Sequence, residues 1–150
     1  MKNYKIIECY DKYAKTFQKM AEPIFAAWLR MYVFCDMFRS GWLKVIDVMN
    51  GDWSRVVYLF EYEYKVPLIS PSIAAMMGMF NEVVVATFLL IGLLTRFSAL
   101  ALLLMAIMIE FTYMHHLQHQ IWITMLGYLV IHGGGMISID HLIKKKMKRV

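Results

Sequence analysis

From residue 24 onward, apolar residues run in four stretches, at roughly 24–48, 71–94, 97–114 and 120–138, separated by more polar connections. A helix needs about 20 such residues to cross a bilayer. The pattern therefore predicts four helical spans, the last two near the lower limit. The first stretch departs from a uniform apolar run. Leu29–Asp47 carries Arg30, Asp36, Arg39, Lys44 and Asp47 among aromatic and aliphatic side chains. At about 100° per residue, those five fall on one half of a helix with Ser40 and Gly41. Met31, Phe34, Cys35, Phe38, Trp42 and Val45 take the other half. Charged groups within a membrane helix turn toward a protein interior or a wet cavity and pair there. The remaining stretches must supply that cavity.

Ahead of the first stretch, residues 1–22 place Ile6, Tyr10, Tyr13, Phe17 and Met20 at spacings of four and three, with five lysines elsewhere on the circumference. This predicts an amphipathic helix lying in the cytoplasmic membrane interface; the alternative is a helix packed on the end of the bundle. The segment is too polar for a cleavable signal peptide, so the first span is expected to be retained. The connection 49–70 places Trp53, Tyr58, Tyr62 and Tyr64 as interface anchors, with Pro67 and Pro71 before the second span. It reads as an aromatic belt or as a lid over the mouth of a cavity.

Basic residues settle the expected topology. The N-terminal arm has five lysines, residues 144–149 have five basic residues, and Arg96 lies in the tight turn between spans two and three. The connections 49–70 and 114–120 are poor in them. The positive-inside rule puts both termini and Arg96 in the cytoplasm, which requires an even number of spans. The expectation is an all-α integral membrane four-helix bundle with an N-terminal amphipathic interfacial helix. Its parts are an arm at 1–22, a four-span domain at 23–143 and a basic cytoplasmic tail at 144–150.

Composition agrees with a membrane protein. Hydrophobic residues make up 60% and charged residues 18%, and mean hydropathy is +0.51, well above soluble averages. The net charge of +5 sits at the chain ends flanking apolar spans, which argues against a nucleic-acid partner. Cys9 and Cys35 are distant and form no C-x-x-C pair, which argues against a disulfide or an exchange centre.

Within this frame Glu82 near the middle of span two is the first candidate for chemistry, paired with Arg39 or Lys44. Ala75, Gly78 and Ala86 on its face permit close helix approach. Such a pair could bind a quinone carbonyl or relay protons; the alternative is a structural lock between helices. Asp36, Glu110 and Arg30 complete the polar set, with Arg30 deeper and able to snorkel. His115, His116 and His119 are candidate metal ligands, and with the nearby methionines of the 14 in the chain they would suit copper. Haem held by His132 and a second histidine is a further alternative. Gly133-Gly134-Gly135 is not a phosphate loop, since no strand precedes it. It reads as the end of span four, with Ser138 or Asp140 capping a basic tail helix and Asp140 available to Arg96.

Several segments together resemble the DoxX family of small bacterial and archaeal membrane proteins. They are LR at 29–30, FRSGWLKV at 38–45, LFEYEYKVPLISPSIAA at 59–75, FNEVVVATFLLIGLLTRFSALALLLM at 80–105, HQIW at 119–122 and HGGGMISIDHLI at 132–143. The resemblance implies a four-helix membrane bundle and maps the family's recurring polar positions to Arg30, Arg39, Lys44, Glu82, Arg96 and Asp140. The family takes its name from a subunit of an archaeal thiosulfate:quinone oxidoreductase system, and members are linked to redox and sulfur-stress complexes. The expected function is thus an inner-membrane subunit of a quinone-linked redox system or a docking platform for a peripheral oxidoreductase. The expected partners are the lipid bilayer, that oxidoreductase or other membrane subunits, and further copies of the chain. The rival expectation is a non-enzymatic carrier, assembly factor or copper-handling membrane protein.

Overall fold

The computed structural model describes residues 2–113 and 116–148, and side chains at Glu8 and from Tyr10 onward within that range. It is all helical; no strand occurs among the described residues. The elements are α1 (Lys2–Met49), α2 (Trp53–Tyr58), α3 (Pro71–Phe80), α4 (Ala86–Ile91), α5 (Thr95–Thr112), α6 (Leu117–His132) and α7 (Ile139–Met147). Wide π turns at Leu59–Glu63 and Asn81–Val85 follow α2 and join α3 to α4.

Arm and first apolar stretch form one uninterrupted helix, α1, which runs through Pro23. Its buried positions are Pro23, Ala26, Leu29, Arg30, Val33, Met37, Gly41 and Lys44, the three- and four-residue spacing of a single face. From Tyr10 to Met20 every side chain is exposed, so the arm is not packed on the body. The stripe of Tyr10, Tyr13, Phe17 and Met20 faces solvent with the lysines around it.

Among the described residues, two helical stretches are long and apolar enough to cross a membrane: Pro71–Ile91, with 21 residues and mean hydropathy 1.8, and Thr95–Thr112, with 18 residues and 1.6. The charges of α1 and the 16 residues of α6 set those two apart. Pro71 occupies the first turn of α3, where its missing N–H costs nothing. Gly92 ends α4 in the left-handed region at φ 72°, a conformation that favours glycine.

α1 packs against α3, α4 and the π turn between them, and also against α6; α5 packs against α4, that π turn and α6. The main core is Val33, Met37, Leu89, Leu102, Leu126, Leu129 and their neighbours, all from these elements. A smaller core of Val56, Phe60, Ala74 and Ala75 fixes the 50–70 connection onto α3. One end of the molecule, here the distal end, holds that connection and Tyr113. The opposite, proximal end holds the α4–α5 turn, the glycine loop and α7.

Close approach of α1 to the π turn depends on Gly41. A Cβ there would lie 2.7 Å from Glu82 Cβ and 2.8 Å from Val83 Cγ2. Gly41→Ala is expected to separate the two elements and cost about 1–3 kcal/mol, the usual range for overpacking. Thermal unfolding in detergent measures this, and an unchanged midpoint would show that the contact is slack.

Candidate functional site

Lys44 and Glu82 meet where α1 crosses the π turn. Lys44 Nζ donates to Glu82 Oε2 at 2.6 Å and to Ser40 Oγ at 2.9 Å, and Ser40 Oγ–H points to Glu82 Oε1 at 3.4 Å. Side-chain exposure is only 5% for Lys44 and 7% for Glu82. Ser40 lies one turn before Lys44 and so presents its hydroxyl on the same face. The π turn widens the helix at Glu82, a departure that often marks functional positions.

Glu82 also lines a cavity of about 190 Å³ whose other walls include Met77, Leu104, Met105, Met108 and Ile109. Lys44 stands behind the carboxylate, outside this lining. Tyr64, Phe60 and Asn81 complete the polar and aromatic side of the cavity. Tyr64 is held by edge contacts to Phe60, centroids 5.0 Å apart, and to Tyr113, 5.3 Å apart. The 50–70 connection thus covers the cavity through Phe60 and Tyr64, while Tyr58 and Tyr62 form a tilted ring pair with centroids 4.6 Å apart. Burial first, then the negative charge of Glu82, pushes the Tyr64 phenol up to about 12. It therefore remains a protonated donor across the physiological range.

Arg39 does not join Glu82. Five residues from Lys44, it lies about 140° around the helix and is exposed. It borders a shallow groove with Tyr32, Asp36 and Leu43. Asp36 turns to α6, accepting from Gln118 Nε2 at 2.7 Å and Trp122 Nε1 at 3.1 Å. From the last turn of α5, Glu110 reaches the start of α6, accepting from the His116 backbone N–H at 3.3 Å, from Gln120 Nε2 at 3.3 Å, and facing His119 Nδ1 at 3.2 Å. A carboxylate there also meets the positive end of the helix dipole. His116 and His119 have ring centroids 6.0 Å apart; His115 lies outside the described residues. Among the described residues, no three His, Cys, Asp or Glu side chains converge to hold a metal. His132 is stacked on Tyr128 at 4.2 Å, at the opposite end from His116 and His119.

At the proximal end Arg30 is buried rather than snorkelling. It donates to the carbonyls of Ala26, Leu90 and Ile137, tying α1 to the ends of α4 and the glycine loop. Asp140 accepts from Leu94 N–H at 2.8 Å, Thr95 N–H at 2.8 Å and Thr95 Oγ–H at 2.7 Å. It thereby caps α5 from across the sequence, while Arg96 Nη2 donates to Ile131 O at 3.0 Å. Ser138 caps α7, accepting from His141 N–H at 3.2 Å. Burial works to raise the Asp140 carboxyl, but the Thr95 and Leu94 hydrogen bonds and Lys144 together carry it below the usual 3.8. Its stabilising effect is present above that value and is lost as pH falls through the depressed one. Asp140→Asn is expected to flatten the loss of melting temperature that wild type shows between about pH 6 and about pH 2. An equally steep loss in the variant would assign the acid sensitivity elsewhere.

Sequence reasoning missed Tyr64 and Asn81 at the cavity, Ser40 as hydrogen-bond partner of Lys44 and Glu82, Gln118 and Trp122 as partners of Asp36, and Thr95 as partner of Asp140. Ser40 was detectable from its four-residue spacing to Lys44; the others are set by tertiary contacts.

The DoxX family model matches residues 25–117, from the base of the arm to the start of α6. No curated protein and no solved structure gives a significant match to the chain.

Proposed function

The chain belongs to the DoxX family, and from that membership and the geometry of the Glu82 cavity we propose a membrane subunit of a quinone-linked redox system. In this reading α1, the Pro71–Ile91 stretch, α5 and α6 are four spans of an inner-membrane bundle. Both termini are cytoplasmic, the distal end faces outward, and the arm meets the cytoplasmic membrane surface. A peripheral oxidoreductase is the proposed partner.

The carrying observation is a buried carboxylate, backed by Lys44 and Ser40, on the wall of a mostly apolar cavity whose other polar side chains are Tyr64 and Asn81. Its volume of about 190 Å³ lies below the roughly 300–1,000 Å³ of ordinary ligand sites. That suits one substituted ring and excludes haem by size. When bound, a quinone would exchange electrons together with protons at its carbonyl oxygens. Glu82 supplies a proton-exchanging group at the wall, and Lys44 and Ser40 fix its orientation. Tyr64 supplies a neutral hydroxyl donor, and the methionine and leucine wall keeps water away.

Titrating the purified protein in nanodiscs with short-chain ubiquinone and short-chain menaquinone tests this reading. Saturable binding is expected, weakened at least tenfold by Glu82→Gln. Absence of binding in wild type, or an unaffected Glu82→Gln variant, would overturn it.

A further inference from the structure

A second and larger cavity, of about 560 Å³, lies at the proximal end, away from the Glu82 site. The base of the arm, the start of α5, the glycine loop and α7 enclose it. Its cations come from three separate elements: Lys19 on α1, Arg96 on α5 and Lys144 on α7. No ion pair joins any of them to an acid among the described residues. Two acids share the lining, Glu22 and Asp140. Asp140 is already committed to the α5 N-terminus through Leu94 and Thr95. Three cations therefore face one uncommitted carboxylate, and His132 and His141 add further donors.

The same cavity has an apolar side. Phe97, Met136 and Met147 line it and are exposed, next to the cations rather than apart from them. Gly133, Gly134 and Gly135 form part of the lining, so that part of the wall presents backbone in place of bulk. A soluble anion would use the cations and leave the apolar wall in water. An anion attached to hydrocarbon uses both.

We propose that this cavity binds the phosphodiester headgroup of an anionic phospholipid, with Lys19, Arg96 and Lys144 around the phosphate and Phe97, Met136 and Met147 against the glycerol and upper acyl chain. This rests on the membrane reading above, which would place the cavity at the cytoplasmic boundary of the bilayer, where anionic lipid is drawn to basic side chains.

The test uses the full chain in neutral phosphatidylcholine nanodiscs, titrated with short-chain phosphatidylglycerol, short-chain phosphatidylcholine and inorganic phosphate, with binding read by native mass spectrometry. Saturable phosphatidylglycerol binding is expected, at least tenfold tighter than the other two. Lys19→Gln/Arg96→Gln/Lys144→Gln is expected to abolish the preference, and the exposed pair Lys19→Gln/Lys144→Gln to weaken it. Lys12→Gln/Lys15→Gln/Lys146→Gln removes equal charge outside the cavity and is expected to leave it intact. Equal loss in that control would show diffuse attraction and overturn the site, as would an unaffected cavity variant. Inorganic phosphate binding as tightly as the lipid would overturn the lipid assignment. Carbonate extraction of native membranes separates the two readings. A chain that washes off fails the membrane reading, while one that stays without lipid preference fails this inference alone.

Discussion

Lys44→Met is expected to lower stability by about 3–5 kcal/mol, the penalty for leaving one partner of a buried ion pair uncompensated. Glu82 would then keep only the Ser40 hydroxyl, at 3.4 Å, as a hydrogen-bond partner in a mostly apolar and aromatic environment. Glu82→Gln removes the charge but keeps an oxygen for Lys44, leaving an ammonium with Ser40 and an amide carbonyl for company. The double variant Lys44→Met/Glu82→Met is expected to be far less damaged than the two single losses added together, because no buried charge remains. That non-additivity, about 2 kcal/mol or more, is measurable as a double-mutant cycle in mixed micelles. Additive losses would mean that the 2.6 Å contact contributes nothing as a pair. The same cycle separates the structural and chemical meanings of the site. A double variant that regains stability yet binds no quinone places the pair in the ligand's service. If both are regained together, the pair acts only as a lock between α1 and the π turn.

The polar half of the first span was legible because periodicity alone arranges it. Arg30, Gly41 and Lys44 do turn inward on α1, and Glu82 meets that face. Arg39 shows where the reasoning stops. A half-circumference is too coarse when the contact face is only some 100° wide, and Arg39 lies at the edge of the charged half, outside that face. The π turn at Asn81–Val85 was not legible, since a π bulge carries no simple sequence pattern and is fixed by what packs around it. Tyr64 reads as one more interface aromatic until the connection folds back and sets its ring against Phe60 and Tyr113. Thr95 was hidden for a related reason. The Asp140 carboxylate lies 45 residues away in sequence, and local pairing rules point to Arg96 beside it instead. The short helix α6 and the long arm of α1 likewise depart from a reading based on apolar length. Pro23 is accommodated inside the helix, so the boundary suggested by composition at residue 22 is not a break in the backbone.

Replacing Arg30 with Met is expected to be as damaging as breaking the central pair, for a different reason. Arg30 as a residue is only 3% exposed, and its guanidinium gives hydrogen bonds to the Leu90 and Ile137 carbonyls, on α4 and the loop before α7. Each hydrogen bond lost from the charged guanidinium costs about 1.5–3 kcal/mol, so the loss should reach about 3–5 kcal/mol in total. Arg30→Lys is expected to recover less than half, since an ammonium is a point donor and cannot reproduce a fork aimed at two carbonyls. The damage should also be local in a way that the Lys44 substitution is not. With Arg30 gone, the 133–138 loop keeps only its Asp140 and Ser138 anchors, and amide exchange there should accelerate while α5 exchange stays slow. Gly92→Ala is expected to reproduce this pattern with Arg30 still present, by displacing its guanidinium. A Cβ at Gly92 would sit 2.3 Å from Arg30 Nη1 and 2.5 Å from Ser138 Cβ, at a φ of 72° that L residues avoid. Hydrogen exchange read by mass spectrometry compares both variants directly. Protection lost evenly across all helices would show Arg30 to be a global stabiliser rather than the tie between the first helix and the proximal loop.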